Sequence, residues 1–239
     1  MRFTVLTLFP EMIEQGFQTS ITGRAMEKGL LSLRCINFRA YSDGGNGYVD
    51  DYPYGGGAGM VLQAPPIYRA YQAAVGDGPR PRLVYMTPQG RVFNQALARE
   101  LAKEEELYIL CGHYAGVDER VLEEIATDRI SIGDYVLTGG ELPALVLMDA
   151  VARMVPGVLS NQESGGEESF MNGLLEYPQY TRPEVFMDRP VPEILKSGHH
   201  ARIARWRRNE SLRRTMEVRP ELLEKAELDQ EDRAFLDTL

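Results

Sequence analysis

The sequence predicts an α/β fold in which helices cover both faces of a mainly parallel sheet. Two observations carry this prediction: short apolar segments typical of buried strands recur along the chain, and segments with helical apolar spacing lie between them. Strands joined through helices run parallel in one sheet. The 239 residues, 44% of them hydrophobic and 26% charged, have the composition of a globular protein and suffice for one large domain or two small ones.

The elements are predicted from these two patterns in chain order. Five segments rich in β-branched, aliphatic and aromatic residues are predicted strands: Phe3 to Phe9, Leu31 to Phe38, Arg82 to Thr87, Leu107 to Gly112 and Ile130 to Leu137. Four segments with helical spacing are predicted helices: Ile67 to Ala74, Asn94 to Glu105, Asp118 to Ala126 and Leu142 to Met154. Asn94 is the predicted N-cap of its helix, and Pro143 lies in a first turn, where proline is tolerated.

A polar, glycine-containing stretch marks a domain boundary. Residues 161–166 read Asn-Gln-Glu-Ser-Gly-Gly, which is typical of a linker or a mobile loop. We therefore predict an α/β domain over residues 1–160, a flexible linker over 161–174 and a helical domain over 175–239. In the last of these, a proline-rich extended piece leads to helical sequence from His199 to Met216 and from Pro220 onward.

Charge is distributed unevenly along this acidic chain, whose net charge is −9. Residues 196–214 hold seven basic residues and one acidic residue, whereas residues 217–239 hold eight acidic and three basic ones. The overall acidity argues against non-specific binding to nucleic acids. A locally basic segment still suits one chosen polyanion, and Trp206 between arginines adds a ring that can stack on bases. An amphipathic helix with a solvated basic face explains the same pattern equally well.

Several classes of protein are excluded by simple patterns. The apolar run near the start, residues 3–9, is far shorter than the roughly 20 residues that span a bilayer, and Glu11 and Glu14 occupy the place of a signal-peptide cleavage region. We therefore expect no membrane segment. Cys35 and Cys111 form no disulfide framework, so a cytoplasmic location is the simplest expectation. The three histidines lack the spacing of a closed zinc site, and no metal site is expected.

Three of the predicted strands end in similar chemistry, with glycine beside proline or tyrosine. The runs are Tyr85 to Gly90, Cys111 to Gly116 and Ile132 to Gly140. Ligands of open α/β sheets bind outside the carboxyl ends of the strands, and glycine lets the backbone approach a planar ligand closely. Each loop alone is explained by a tight turn, but the three together favour a ligand site. The chain contains no G-x-G-x-x-G or G-x-x-x-x-G-K-[ST] motif, which disfavours a dinucleotide or a nucleoside triphosphate.

Three further features allow both a functional and a structural interpretation. Asp149 and Arg153 are four residues apart on a predicted helix and therefore share a face. Either they form a surface ion pair, or Arg153 is a cation that stabilises negative charge on a substrate oxygen. Glu167 and Glu168 either close over a site as general bases or only solvate the linker. The glycine cluster over residues 55–59 is either a surface loop or a lid, and we prefer the lid.

Four longer runs are the most distinctive part of the chain. They are VDDYPYGGGAGM from Val49 to Met60, GVDER from Gly116 to Arg120, SIGDYVLTGGELP from Ser131 to Pro143 and YTRP from Tyr180 to Pro183. Together they closely resemble the bacterial tRNA (guanine-N1)-methyltransferase (TrmD) family of the SPOUT superfamily. The resemblance extends in order from Leu8 to Leu223, and motifs of this length are highly specific.

The resemblance implies a SPOUT fold, in which the α/β domain forms a deep trefoil knot and a small helical domain follows. It also implies a homodimer with the active site at the subunit interface, where one subunit binds S-adenosylmethionine in its knot and the other supplies tRNA-facing residues. The knot loops map onto the three strand ends. The cofactor-binding residues implied in this way are Tyr85, Met86, Thr87, Pro88, Gly112, Tyr114, Gly116, Ile132, Gly133, Asp134, Tyr135, Val136, Leu137, Gly139, Gly140 and Pro143.

The family transfers a methyl group to N1 of the guanosine immediately 3′ of the anticodon. The resemblance implies two catalytic residues: Arg153, which matches the arginine of the family, and Glu168, which aligns with its aspartate base. Glu is one methylene longer than Asp, and the neighbouring Glu167 keeps the choice of base open. Ala115 stands where the family usually has Glu, so no side-chain contact is carried over to that position.

The remaining expectations concern partners. The implied tRNA-binding residues are Arg182, Arg202, Arg205 and Arg207. No dedicated Mg²⁺ ligand set is visible, so any Mg²⁺ is expected to bind with substrate and water. Two alternatives stay open at this point. One is another SPOUT methyltransferase acting on ribose or ribosomal RNA, and the other is an RNA-binding module that has lost its chemistry.

Overall fold

A computed structural model of the chain describes residues 1–159 and 168–239. These residues form two compact units, Met1–Ser160 and Asn161–Leu239, and each is described by itself. Along both described stretches, no helix has the combination of length and apolar sequence needed to cross a bilayer.

The first unit is built on a five-stranded sheet. The strands of the unit are β1 (Arg2–Thr7), β2 (Ser32–Asn37), β3 (Asp50–Asp51), β4 (Val61–Leu62), β5 (Leu83–Val92), β6 (Glu106–Cys111) and β7 (Asp128–Ser131). The central sheet has the order β2-β1-β6-β5-β7, and every neighbouring pair in it is parallel. The predicted parallel α/β sheet is confirmed. The short strands β3 and β4 form a separate antiparallel pair.

Helices cover the sheet on both faces. The helices of the first unit are α1 (Pro10–Phe17), α2 (Ser20–Glu27), α3 (Ala64–Val75), α4 (Gln95–Leu101), α5 (Glu119–Ile125) and α6 (Glu141–Ala152). The four helices predicted in this part of the chain correspond to α3, α4, α5 and α6. Asn94 caps α4 as predicted, because its side chain accepts a hydrogen bond from Leu97 N at 3.0 Å.

Alternation along the strands produces one apolar core on each face of the sheet. Phe3 and Ile109 face a core that includes side chains of α1, α2, α4 and α6. Leu6 and Leu110 face the second core, to which α3 and α5 contribute. All four of these side chains are fully buried. The sheet is therefore the middle layer of three, and its carboxyl edge is left as the place where loops can form a site.

The structure corrects several predicted boundaries. The predicted strand from Ile130 to Leu137 ends at Ser131, because Gly133 has a φ of +146° and its N–H bonds to Ser131 Oγ at 3.1 Å. The predicted helix from Asn94 to Glu105 ends at Leu101, and the chain then tightens into i→i+3 turns before β6. Helices α1 and α2 were not predicted, because each spans only eight residues and contains a glycine.

The second unit is mainly helical. Its elements are β8 (Val185–Phe186), β9 (Arg189–Pro190), α7 (Glu193–Lys196), α8 (His200–Val218) and α9 (Gln230–Leu236). Helix α8 matches the predicted helix from His199 to Met216. The prediction of a helix from Pro220 onward is only partly correct, because Pro220–Leu222 is a single 3₁₀ turn and α9 starts at Gln230, after the Asp229 cap.

The linker predicted over residues 161–174 lies partly outside the described residues, which resume at Glu168. From there the chain forms hydrogen-bonded turns: Met171 N donates to Glu168 O at 3.2 Å, and Phe170 N donates to Leu174 O at 2.8 Å. Leu174 is buried, and Leu175 N bonds to Thr215 Oγ1 of α8 at 3.0 Å. Residues 168–174 are thus packed into the second unit.

Candidate active site

A cavity of about 370 Å³ lies at the carboxyl edge of the sheet. Three loops form its walls, here called loop A (residues 87–90), loop B (residues 112–117) and loop C (residues 132–140). Every residue that the sequence assigns to cofactor binding lines this cavity except Asp134, which is exposed outside it. The three glycine-containing runs therefore meet in space at the carboxyl edge of the sheet, where ligands of open α/β sheets bind.

The cavity also has walls that sequence reasoning missed. They are Gln89, His113, Ala115, Val117, Glu119, Leu122, Ile130, Ser131 and Thr138. Most of them are neighbours of assigned residues in the same loops, so their position in these loops was the sequence signal that could have identified them. Glu119 and Leu122 come from the first turns of α5, which begins beside loop B.

Loop A is a bulge inside a strand rather than the end of one. Both Met86 and Arg91 pair with Ile130 of β7, so residues 87–90 project from the sheet and β5 then continues to Val92. The predicted strand end at Thr87 is wrong for this reason. A Cβ at Gly90 would overlap the β7 backbone, so glycine allows the bulge to close tightly against β7.

Loops B and C are held together at the cavity floor. Gly140 N donates to Gly112 O at 2.9 Å, and Gly139 forms an antiparallel bridge with His113. A Cβ at Gly140 would lie 2.7 Å from the Cα of Cys111, so only glycine permits this approach. The start of α6 is thereby fixed against the end of β6.

A buried polar chain supports the same junction. Glu141, the first residue of α6, is 1% exposed, and its Oε1 accepts from Thr7 Oγ1 at 2.5 Å. Its Oε2 lies 2.6 Å from His113 Nε2. Each oxygen of the Glu141 side chain thus has one polar partner, Thr7 Oγ1 or His113 Nε2. The helix N-terminus also favours the negative charge of Glu141. His113 lines the cavity, and the Phe9 ring packs on it with centroids 4.9 Å apart.

Loop C presents apolar side chains to the cavity and to solvent. Val136 is 83% exposed, and Tyr135 is 54% exposed. Both line the cavity together with Ile132 and Leu137. These side chains form an apolar wall that a ligand with a planar, weakly polar face can bury.

The strand pair β3–β4 and its connecting loop are hydrogen-bonded to loop B. Ala115 N donates to Met60 O at 2.9 Å, and Leu62 N donates to Gly116 O at 2.9 Å. The glycine cluster over residues 55–59, for which we preferred a lid, lies in the connecting loop, and its neighbour Tyr54 is fully exposed. The loop is thus attached beside the cavity at one end and open to solvent at its tip.

One cavity residue has a clearly displaced pKa. Burial raises the pKa of the Tyr85 phenol, although the nearby Arg129 guanidinium partly opposes this shift. Tyr85 therefore stays a neutral hydroxyl near pH 7, able to donate and accept hydrogen bonds. Arg129 itself forms an ion pair with Glu119, a second cavity residue.

The two candidate catalytic residues lie outside this cavity. Arg153 follows the last residue of α6 and is half-buried, whereas the cavity touches α6 at Pro143. Ten residues of helix correspond to about 15 Å along the axis. Glu168 is the first described residue of the second unit and is half-buried, and Glu167 lies outside the described residues.

The predicted tRNA-binding arginines have different environments. Arg182 and Arg202 are exposed. Arg205 donates to Asp232 at 2.9 Å, and Arg208 donates to the other oxygen of the same buried carboxylate at 2.7 Å. Arg205 is therefore held by an internal ion pair, which its sequence context did not predict.

The Arg207 guanidinium lies over the ring of Tyr177, with 4.9 Å to the ring centroid. Within residues 1–159 and 168–239, no group of three or more His, Cys, Asp or Glu side chains is arranged to hold a metal ion.

Comparison with known proteins decides the family. The profile of the family described as tRNA (Guanine-1)-methyltransferase TrmD matches residues 1–225. The chain belongs to this family. It is 57% identical to the tRNA (guanine-N(1)-)-methyltransferase of Lachnospira eligens, over 94% of this chain and 95% of the relative. Proteins of the same name from Lachnoclostridium phytofermentans and Dehalococcoides mccartyi are 52% and 54% identical, each over 100% of this chain and 97% of the relative. The chain is thus a tRNA-modifying methyltransferase.

Proposed function

We propose that this methyltransferase uses S-adenosylmethionine to methylate N1 of the guanosine immediately 3′ of the anticodon of tRNA. The observation that carries the proposal is the cavity at the sheet edge, which unites the three loops onto which the knot loops of the family map. A ribose-directed or ribosomal RNA enzyme of the same superfamily is disfavoured by the run from Asp50 to Gly57 and by the relatives' names.

The cavity fits S-adenosylmethionine in size and chemistry. About 370 Å³ is within the range of small-molecule sites. Ile132, Leu137 and Pro143 offer apolar surface for the adenine ring, and the glycine backbone of loops B and C offers polar edges. When bound there, the cofactor supplies a methyl group on a sulfonium, which is already a good electrophile. The chain then has to align the nucleophile and remove one proton.

In this proposal, Glu168 is the general base that removes the proton from N1 of the guanine. Its carboxylate accepts the proton as N1 bonds to the methyl carbon, and the electron pair of the broken C–S bond stays on sulfur. A general base of this kind contributes about 10²- to 10⁴-fold to the rate. Arg153 donates to guanine O6, where negative charge grows as the proton leaves, and stabilises it.

A homodimer explains how Arg153 reaches a reacting guanine. Arg153 is about 15 Å along α6 from the cavity wall at Pro143, which favours a site that a second copy of the chain completes. Exposed apolar side chains on α1 and α6, among them Met12, Leu142 and Val146, support pairing of two copies. The proposed dimer places Arg153 of one copy beside the cofactor cavity of the other.

The trefoil knot and the role of the second unit are part of the same proposal. The sheet order and the contact of Gly140 with Cys111 support threading of loop C at this edge of the sheet. The helical unit, with exposed Arg182 and Arg202, is proposed to hold the anticodon stem and loop. Mg²⁺, if required, binds with the tRNA and water.

The deciding experiment follows transfer of labelled methyl groups to two tRNA transcripts that differ only in having G or A immediately 3′ of the anticodon. We expect label on the G transcript alone. Label on both transcripts contradicts the proposed target nucleotide. The absence of label on both, with folded protein that binds S-adenosylmethionine, contradicts the proposed reaction.

Two variants test the proposed roles. Glu168→Ala is expected to slow single-turnover transfer about 10²- to 10⁴-fold. Arg153→Ala is expected to slow it about 10²- to 10³-fold. Calorimetric affinity for S-adenosylmethionine should stay unchanged in the Glu168 variant, and Glu27→Ala, which removes an exposed Glu on α2, serves as the matched control. Normal transfer by Glu168→Ala removes this residue from the mechanism.

A further inference from the structure

A second groove, of about 720 Å³, lies wholly within the second unit. One wall is the extended segment over residues 177–184, and the other is formed by α7 and the first two turns of α8. None of the proposed methyl-transfer chemistry uses this groove. Its size is within the range of sites that bind a small molecule or one nucleotide.

Two aromatic rings meet in the groove. Tyr180 and Trp206 both line it, with ring centroids 6.3 Å apart and planes inclined by 51°. Tyr180 is 47% exposed. Inclined rings cannot stack fully on each other, so each keeps part of a face available. A planar base that stacks on one ring has its edge near the other, which is a common way to hold an unpaired base.

The charge of the same groove is positive. Three permanent cations line it, namely Arg182, Lys196 and Arg207, against the single carboxylate of Glu184. Lys196 Nζ is within 2.6 Å of Glu184, so this pair neutralises itself. The net positive charge therefore comes from Arg182 and Arg207. Arg182 has no ion pair among the described residues and is exposed, so a phosphate can reach it.

We propose that this groove binds one unstacked nucleotide of the tRNA, with its base on Tyr180 or Trp206 and its phosphate at Arg182. The inference rests on the proposed tRNA substrate and deepens it by assigning a base-holding site to the second unit. Stacking tolerates every base, so the groove selects unpaired RNA rather than a sequence. It holds part of the tRNA by contacts of the second unit alone.

A protein segment fits the groove less well. Aromatic and arginine side chains also dominate protein interfaces, but such a groove then needs acidic or apolar anchors from the partner. The polyanionic substrate named for the relatives supplies the complementary charge directly. If a second copy of this chain occupies the groove, the fluorescence emission of Trp206 should change when the protein is diluted without RNA. That result overturns the proposal.

Trp206 is the single tryptophan of the chain, which makes it a direct reporter of the groove. Intact protein is titrated with unmodified tRNA transcript, with a single-stranded oligouridylate, with a blunt RNA duplex and with free guanosine monophosphate, and tryptophan emission is recorded. We expect saturable quenching by tRNA, quenching by oligouridylate at higher concentration, and none by the duplex. Guanosine monophosphate that binds as tightly as tRNA assigns the groove to free nucleotides and overturns the RNA assignment.

Matched variants separate the groove from its surroundings. Tyr180→Ala is expected to weaken tRNA binding about 5- to 150-fold, the effect of one stacked base. Its control is Phe186→Ala, an aromatic of the same unit that is 63% exposed and outside the groove. The control for Arg182→Ala is Arg189→Ala, because Arg189 is exposed like Arg182 but lies outside the groove.

The kinetic readout distinguishes this inference from the proposed reaction. Tyr180→Ala should raise KM for tRNA and leave single-turnover transfer at saturating tRNA within about twofold. Trp206→Phe, which keeps a ring, should bind tRNA better than Trp206→Ala. If tRNA is methylated normally but Tyr180→Ala and Phe186→Ala bind it equally, the groove assignment is wrong and the methyltransferase function stands.

Discussion

Removing the buried carboxylate of Glu141 should destabilise the fold and distort the cavity together. Its oxygens accept from Thr7 at 2.5 Å and contact His113 at 2.6 Å, and the side chain is 1% exposed. Each hydrogen bond to a charged group contributes about 1.5–3 kcal/mol. Part of that gain offsets the cost of burying the charge, so Glu141→Ala should lower the free energy of unfolding by about 3–5 kcal/mol.

The assay is urea unfolding followed by far-ultraviolet circular dichroism. The isosteric Glu141→Gln keeps the shape but its amide cannot accept at both ends, so about 1–3 kcal/mol should be lost. Glu123→Ala, which removes an exposed Glu on α5, is the matched control and should change stability by less than about 0.5 kcal/mol. A Glu141→Ala loss as small as that of the control refutes the reasoning.

Three further predictions concern packing, thiols and acid stability. Gly140→Ala places a Cβ 2.7 Å from the Cα of Cys111, so calorimetry should show markedly weakened S-adenosylmethionine binding even where the variant folds. Burial, aided by a nearby Glu, raises the pKa of Cys35 to about 12, and burial raises the pKa of Cys111 as well, so a thiol reagent at neutral pH should react with both only after unfolding. Burial alone would raise the pKa of Asp232, but hydrogen bonds from Arg208 hold it below its usual value. The stabilisation by the Asp232 carboxylate is therefore present above its usual pKa of about 3.9 and is lost as the pH falls through the lower folded value, so in urea unfolding Asp232→Asn should lower stability at pH 7 and have a much smaller effect in strong acid.

Periodicity predicted the sheet well because its central strands are buried on both faces. A strand in the middle of three layers needs apolar residues on both sides, and β1 and β6 show this directly. The same signal failed after Ser131. Ile132, Val136 and Leu137 have the composition of a strand, yet Val136 is 83% exposed and all three line the cavity. In sequence, apolar residues that line a cavity resemble apolar residues of a buried core.

The candidate site was predictable where its signal is local. Glycines in three loops indicated the cavity, since a close backbone approach needs glycine whatever the ligand, although one of these loops is a bulge inside β5. The chain from Thr7 through Glu141 to His113 was not predictable, because Thr7 and Glu141 are 134 residues apart and only the folded sheet edge joins them. A buried Glu at the start of a helix looks, in sequence, like an ordinary acidic first turn.

Charge pairing in the second unit explains how an acidic chain can present a basic surface. The acidic segment after α8 supplies Asp232, which holds Arg205 and Arg208 in internal ion pairs. Those arginines stabilise the fold of the unit and are already neutralised by contact. Arg182 and Arg202, in contrast, are exposed, and fields between exposed charges fade within about 8 Å at physiological salt. The net charge of −9 is therefore compatible with the proposed binding of tRNA at the groove, because a phosphate there would respond to the nearest cations.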